Sequence, residues 1–256
     1  MHLLWLLDKI FDSPNSRGSR GETELSLRLQ EWNMRQYPGK ILRNIYISIN
    51  GDTTEIDLLY ITVKGIFVIE SKNYSGYIFG SEKNKEWTCT YYAGKNWYGG
   101  NKIEKVHFYN PIKQNHTHIT ALKRYLNINI PLYSIIAFSN DCELKSIELH
   151  TSNAIVCYHS RVNENIKSIW NQNADVLSIE EVEMITKKLE RLGNQSIEVK
   201  QLHIENIKRK AQVIDGKCPW CGGDLVLRTA KTGAYKGNQF WGCSNYPNCR
   251  FIKNIE

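Results

Sequence analysis

Glu55-Ile-Asp-Leu-Leu-Tyr-Ile-Thr-Val-Lys-Gly-Ile-Phe-Val-Ile-Glu-Ser-Lys72 is the stretch around which the chain is organised. Two runs of β-branched and aromatic residues, 56–63 and 66–69, flank Lys64-Gly65, which reads as a two-residue hairpin loop. With that loop Val63 pairs with Ile66, Asp57 lies opposite Lys72, and Glu70 sits one diagonal step from Asp57. Side chains two apart share a strand face, so Asp57, Glu70 and Lys72 project from one side of the sheet.

Two carboxylates and an ammonium at the end of an apolar hairpin admit two readings. One is a solvated cross-strand ion pair, Asp57 with Lys72. The other is an oxygen-rich site for Mg²⁺ or Mn²⁺ on Asp57 and Glu70, with Lys72 serving a water and offsetting phosphorane charge. The chemistry that suits the second is phosphodiester hydrolysis.

The pattern of Asp57 followed by Glu70-Ser-Lys72 resembles the D…(D/E)xK signature of restriction-endonuclease-like nucleases, and more closely the NERD (nuclease-related) domain. Gly21-Glu22, Glu55-Ile-Asp57, the stretch from Gly65 to Asn73, Gly76, Trp87 and Asn110-Pro111-x-x-Gln114 follow in that family's order over roughly residues 18 to 126. Glu55 stands where members often carry Gln. The resemblance implies an α/β (α+β) fold, a restriction-endonuclease-like mixed sheet flanked by helices. It also favours a catalytic set of Glu22, Asp57, Glu70, Lys72 and Gln114.

Outward from the hairpin, 22–36 reads as a helix with Leu25, Leu29 and Trp32 on one face, and Glu22 on the inward stripe. Ile45, Ile47 and Ile49 alternate as a half-buried strand, and Trp87, Cys89 and Tyr91 as another before an Ala93–Asn96 hairpin loop. Pro111 opens a helix to about Leu126 that carries Gln114 beside its apolar face. His107, His116 and His118 read as solvated. Runs 132–138 and 154–158 are buried strands. Ser178-Ile-Glu-Glu181 is a capping box for a helix closed by Gly193.

Near the carboxyl end Cys218-Pro-Trp-Cys221 and Cys243-x5-Cys249 give C-x2-C, 21 residues, then C-x5-C, the ligand set of a closed structural Zn²⁺ site. From Gly193 to Glu256 ten Lys/Arg face five Asp/Glu, so +5 of the chain's +7 lies in its last quarter. That module resembles the four-cysteine zinc finger of bacterial type I topoisomerases, which implies single-stranded DNA as a ligand. Trp220, Tyr235, Trp241 and Phe251 would stack bases, while Arg228, Lys231, Lys236 and Arg250 would meet phosphates. Phe240 and Tyr246 are the aromatics expected in its small core.

The 256 residues are thus expected to divide into an amphipathic segment and linker at 1–17, the nuclease-like domain at 18–192, a basic linker at 193–215 and a zinc ribbon at 216–256. The only apolar run at the amino end, Leu3 to Leu7, is too short to span a bilayer. Odd cysteine count and a metal-type cluster point to a reducing, cytoplasmic setting. The expectation is a Mg²⁺- or Mn²⁺-dependent deoxyribonuclease whose ribbon binds DNA. With no GxxxxGK[ST] motif, a motor such as a helicase would be a separate partner chain. Two alternatives stand beside it: a non-cutting nucleic-acid-binding protein on a nuclease-like fold, and a membrane-peripheral scaffold using residues 1–11.

Overall fold

The computed structural model describes residues 17–49, 52–95, 98, 100–150, 153–193, 216–218, 221–230 and 237–254. The amphipathic segment at 1–11 and the basic linker lie outside them. The chain divides into two compact units, Met1–Gln195 and Ser196–Glu256.

The first unit opens with α1 (Arg17–Gln36), followed by β1 (Gly39–Ile49), β2 (Asp52–Thr62), β3 (Gly65–Lys72), β4 (Gly76–Ser81), β5 (Glu86–Lys95) and β6 (Asn101–Tyr109). Then come α2 (Pro111–Leu126), β7 (Leu132–Phe138), β8 (Cys142–Glu148), β9 (Ile155–Tyr158), a 3-10 turn (His159–Arg161), α3 (Val162–Gln172) and α4 (Ile179–Gly193). Five strands form a mixed sheet in the order β1-β2-β3-β7-β9, antiparallel as far as β3 and parallel beyond it. A second sheet runs β6-β5-β4-β8.

β3 is the central strand of the main sheet, and Ile66 to Ile69 are wholly buried, as a strand covered on both faces must be. One face packs Leu58, Tyr60, Phe67 and Ile69 against Leu25 and Leu29 of α1 and Val162 and Ile166 of α3. The other packs Leu59, Ile61, Ile66 and Val68 against Leu122 and Leu126 of α2 and Ile185 and Leu189 of α4. Beside α2, Phe138 and Ile136 of β7 meet the inner face of the second sheet through Trp87 and Phe108. No described helix is long and apolar enough to cross a membrane.

The ends of the helices follow their sequence signals. Asn110 caps α2 by accepting from Ile112 N at 3.0 Å. Ser178 and Glu181 form the reciprocal capping box, at 2.7 and 3.2 Å. By contrast α1 starts at Arg17, five residues before the helix expected at 22–36, and takes in Gly18 and Gly21. Glycine costs a helix about 1 kcal/mol each. Burying Leu25 and Leu29 returns about 1.5–3 kcal/mol apiece and wins.

Other differences have equally local causes. Tyr46 is 7% exposed and donates to Glu55 Oε1 at 2.5 Å, so β1 is covered on both faces there. β5 continues through Lys95, into the stretch expected as the Ala93–Asn96 loop. α3, with Val162, Ile166 and Ile169 one helical turn apart, and β4, β6 and β8 were not read from the sequence.

The β2–β3 hairpin is the consequential correction. Thr62, not Val63, closes the ladder, opposite Gly65, and the loop is Val63-Lys64. Thr62 Oγ1 accepts from Lys64 N at 3.1 Å and donates to Gly65 O at 3.0 Å. Gly65 has φ +122, and a Cβ there would stand 2.4 Å from Pro131 O. Strand-opening with positive φ and no room is a glycine position. Gly65→Ala is therefore expected to destabilise the protein by on the order of 2–3 kcal/mol. Urea unfolding at neutral pH checks this, and an unchanged midpoint would contradict it.

Candidate functional site

The two-residue shift changes who faces whom while leaving every side chain on its face. Asp57 now comes opposite Glu70, one step beyond the last ladder pair, Leu58 with Ile69. There the strands stop exchanging backbone bonds, and Ser71 N donates instead to Asp57 Oδ2 at 2.9 Å.

Glu70 is 1% exposed. Its Oε1 accepts from Lys72 Nζ at 2.6 Å and its Oε2 lies 3.1 Å from His118 Nε2. Lys72 Nζ also donates to Gln114 Oε1 at 3.0 Å. His118 Nδ1 sits 2.6 Å from Thr54 Oγ1. Gln114 and His118 are one turn apart on α2, which faces the same side of β3 as Glu70. Asn115 between them donates to Val68 O at 2.9 Å and Ser134 Oγ at 2.8 Å, clamping α2 to β3 and β7.

Burial is the largest influence on both charged groups, and on both it opposes charge. At Glu70 it is outweighed by the Lys72 charge and then the His118 hydrogen bond, and the carboxyl is held down to about 2. At Lys72 the Glu70 charge, then Tyr74 and Asp57, lift the ammonium above the ordinary lysine range. Each is ionised because the other is.

On the opposite face of β3, Ser71 Oγ lies 3.1 Å from His159 Nε2. Burial lowers the pKa of this ring. α1 covers that face. Glu22 lies in the first turns of α1, with its side chain outside the described residues. The next residue, Thr23, accepts from Arg43 at 2.9 Å, and Arg43 pairs with Leu58, so this turn stands at the level of the site.

Asp57, Glu70, Lys72 and Gln114 therefore come together as connected neighbours. His118, read as solvated, is 4% exposed and bonded to Glu70, and its signal was the four-residue spacing from Gln114. His159 carried no signal, because only the fold brings it behind Ser71. Two carboxylates, beside a cation and a side-chain amide, are oxygen donors of the kind a hard divalent ion takes.

The second unit holds β10 (Leu225–Thr229), β11 (Gln239–Cys243) and β12 (Ile252–Asn254) in one antiparallel sheet. Among the described residues, Cys218, Cys221, Cys243 and Cys249 are the group of metal-binding type, with all four sulfurs within 4.8 Å of one another. Tetrahedral zinc with sulfurs at about 2.3 Å needs such a cluster. Gly222, at φ +74, turns the first knuckle so that its N–H reaches Cys218 O at 2.9 Å. Asn245 N and Nδ2 lie 3.4 and 3.5 Å from the Cys243 and Cys221 sulfurs, donors suited to thiolates. The site is a structural zinc ribbon.

Of the strand-binding residues, Trp220, Lys231, Tyr235 and Lys236 lie outside the described residues. Trp241 is 40% exposed, and Arg250 is exposed. Arg228 stands over the Tyr246 ring at 5.6 Å and donates to Cys243 O at 3.1 Å. Tyr246 and Phe251 exchange their expected places: Tyr246 is 61% exposed, and Phe251 packs with Leu225 against the cysteines. The Phe251 carbonyl accepts from Cys243 N at 3.1 Å, which holds this residue against the cysteine cluster.

The first unit thus holds a buried carboxylate and lysine cluster on a helix-flanked mixed sheet, and the second a zinc ribbon. The nuclease-related domain (NERD) family matches residues 17–139, and the topoisomerase DNA binding C4 zinc finger family matches residues 215–256. Residues 17–139 are thus similar to NERD domains and residues 215–256 to a topoisomerase-type zinc ribbon, two likenesses that together suggest nucleic-acid binding. An uncharacterized protein of Bacillus anthracis is 29% identical over 198 residues, 77% of this chain and 86% of that one. DNA topoisomerase 1 of Archaeoglobus fulgidus is 55% identical over 42 residues, and that of Methanocaldococcus jannaschii 48% over 68. The chain covers 6% and 8% of those two proteins. No solved structure matches.

Glu70's lowered pKa means that its contribution to stability is complete above its unfolded value near 4.5 and is lost as pH falls toward 2. Urea midpoints measured across that window should fall more steeply for the wild type than for Glu70→Gln, and parallel curves would show that the pair contributes no such linkage. For the ribbon, the protein should hold one zinc per chain by atomic absorption. Cys218→Ser/Cys243→Ser should hold none.

Proposed function

We propose that the first unit is a metal-dependent nuclease that hydrolyses phosphodiester bonds of DNA, and that the ribbon holds a single strand of its substrate. The observation that carries this reading is the buried, ionised Glu70 opposite Asp57, with Lys72 and Gln114 attached to it. Isolated surface pairs are neither so buried nor so connected, and the solvated reading of the trio loses its ground.

Asp57 and Glu70 would hold Mg²⁺ or Mn²⁺, which supplies Lewis acidity toward a phosphate oxygen and lowers the pKa of water. Ser71 N fixes one Asp57 oxygen, so the other is aimed by the backbone. Lys72, lifted above the ordinary lysine range, acts as a cation and donor, offsetting charge that builds on the phosphate. Gln114 steers its ammonium, and His118 holds Glu70 from behind. Glu22 would act on the ion or the water from α1. Tethering raises the local concentration of DNA at the site. Three buried thiols, Cys89, Cys142 and Cys157, beside a thiolate metal site support a reducing, cytoplasmic setting.

A second reading, binding without cutting, is favoured by one observation: both Glu70 oxygens already have partners within the protein. Full-length protein with Mg²⁺ or Mn²⁺, incubated with circular and linear, single- and double-stranded DNA, separates the two. The nuclease reading expects cleavage that Asp57→Asn, Glu70→Gln and Lys72→Ala each reduce by about 10²-fold or more. Cleavage indifferent to these substitutions overturns it. Absence of cleavage with single-strand binding retained gives the second reading.

A further inference from the structure

The second sheet has an outer face that none of the roles above uses. Its inner face is apolar and packed, with Ile78, Trp87, Cys89 and Phe108. Alternation along the strands then puts Tyr77 and Phe79 of β4, Thr88, Thr90 and Tyr92 of β5, and Ile103, Lys105, His107 and Tyr109 of β6 on the other side. The register sets them in rows: Phe79, Thr88 and His107 lie across one row, Tyr77, Thr90 and Lys105 across the next, and Tyr92 faces Ile103 beyond.

The aromatic members are 37–58% exposed and Ile103 is 67% exposed, in one contiguous patch. Exposed large apolar side chains gathered on one sheet face, rather than scattered singly, point to a binding face. Its chemistry narrows the occupant. Four of the five large apolar members are aromatic rings, and hydroxyl, imidazole and ammonium groups alternate with them. Lys145 from β8 stands over the Tyr77 ring at 5.1 Å. Lys95 lies at its hairpin end, whereas Lys102 projects from the other face and pairs with Glu104 at 2.7 Å. Of the face's carboxylates, Glu143 is paired with Lys145, and Glu86 and Glu148 stand at its far end. Ring faces interleaved with scattered cations are what single-stranded nucleic acid uses.

The sheet is also hung from the candidate site. Ser139 N donates to Lys72 O at 2.9 Å and its hydroxyl to Tyr74 O at 2.6 Å, while Gly76 N reaches Asp141 O at 3.4 Å. β4 begins four residues after Lys72.

We propose that the outer face of the β6-β5-β4-β8 sheet is a second binding surface for single-stranded nucleic acid, leading the strand to the Asp57, Glu70 and Lys72 end of β3. It stands whether or not the site cuts, because it rests on the face alone.

The test uses the full-length chain carrying Asp57→Asn, so that no cleavage intervenes. A 30-nucleotide oligothymidine substituted with 5-iodouracil is crosslinked by ultraviolet light and the attached peptides are mapped by mass spectrometry. Crosslinks to peptides containing Tyr77, Tyr92 or Tyr109 are expected in addition to those from the ribbon. In fluorescence anisotropy, Tyr92→Ala and Tyr77→Ala should each raise Kd about five-fold or more. Lys105→Glu should flatten the salt dependence by about 0.7 or more in log–log slope. Lys187→Glu, on the exposed face of α4, should change neither. Crosslinks confined to residues 216–254, or to none, with unchanged Kd, overturn the proposal. So does conversion of a dimer to a monomer by Tyr92→Ala in sedimentation with DNA affinity unaltered, which would assign the face to a second copy.

Discussion

The Glu70–Lys72 pair is the constraint on which the first unit depends. Each ion taken out of water costs several kcal/mol, and only good geometry with further hydrogen bonds offsets that. Here the further bonds come from α2, through Gln114 to Lys72 and His118 to Glu70. The docking of α2 is therefore inseparable from the charge state of β3. Asn115 completes the arrangement, because its amide N–H groups tie the helix to β3 and β7 whatever the charges do. A helix held by apolar contacts alone could slide along the sheet. One held by a carboxamide clamp has a single register.

Much of this was legible in the residues, for reasons that can be stated. Strand alternation has period two, so an error of two residues in the hairpin left Asp57, Glu70 and Lys72 on the correct face while misassigning who faces whom. The error itself arose at Gly65, whose positive φ reads equally well as a loop position or as the first residue of a strand pressed against Pro131. The ribbon was plainer, since metal geometry dictates cysteine spacing and leaves the chain few choices. His118 was misjudged because a histidine on a helix reveals nothing until its partner strand is known. Phe251 and Tyr246 were exchanged because composition does not show which aromatic of so small a core packs with Leu225 against the cysteines. α3 passed unnoticed because its apolar face is three residues long.

The ladder breaks on both sides of Asp57, and this explains why the site lies where it does. On β1, Asn44 has φ +52 and drops out of the pairing between Arg43 and Ile45. On β3, pairing with β2 ends at Ile69, while pairing with β7 continues to Lys72. Interruptions of this kind re-aim side chains and free backbone groups. Asp57 takes the Ser71 N–H that is freed, and one oxygen of its carboxylate is thereby positioned by main chain. A regular sheet would have satisfied Ser71 with a carbonyl and left Asp57 free to turn. The irregularity at Asn44 and the early end of the β2–β3 ladder are thus two halves of one device, in which the sheet gives up backbone bonds at the one level where a carboxylate must be aimed.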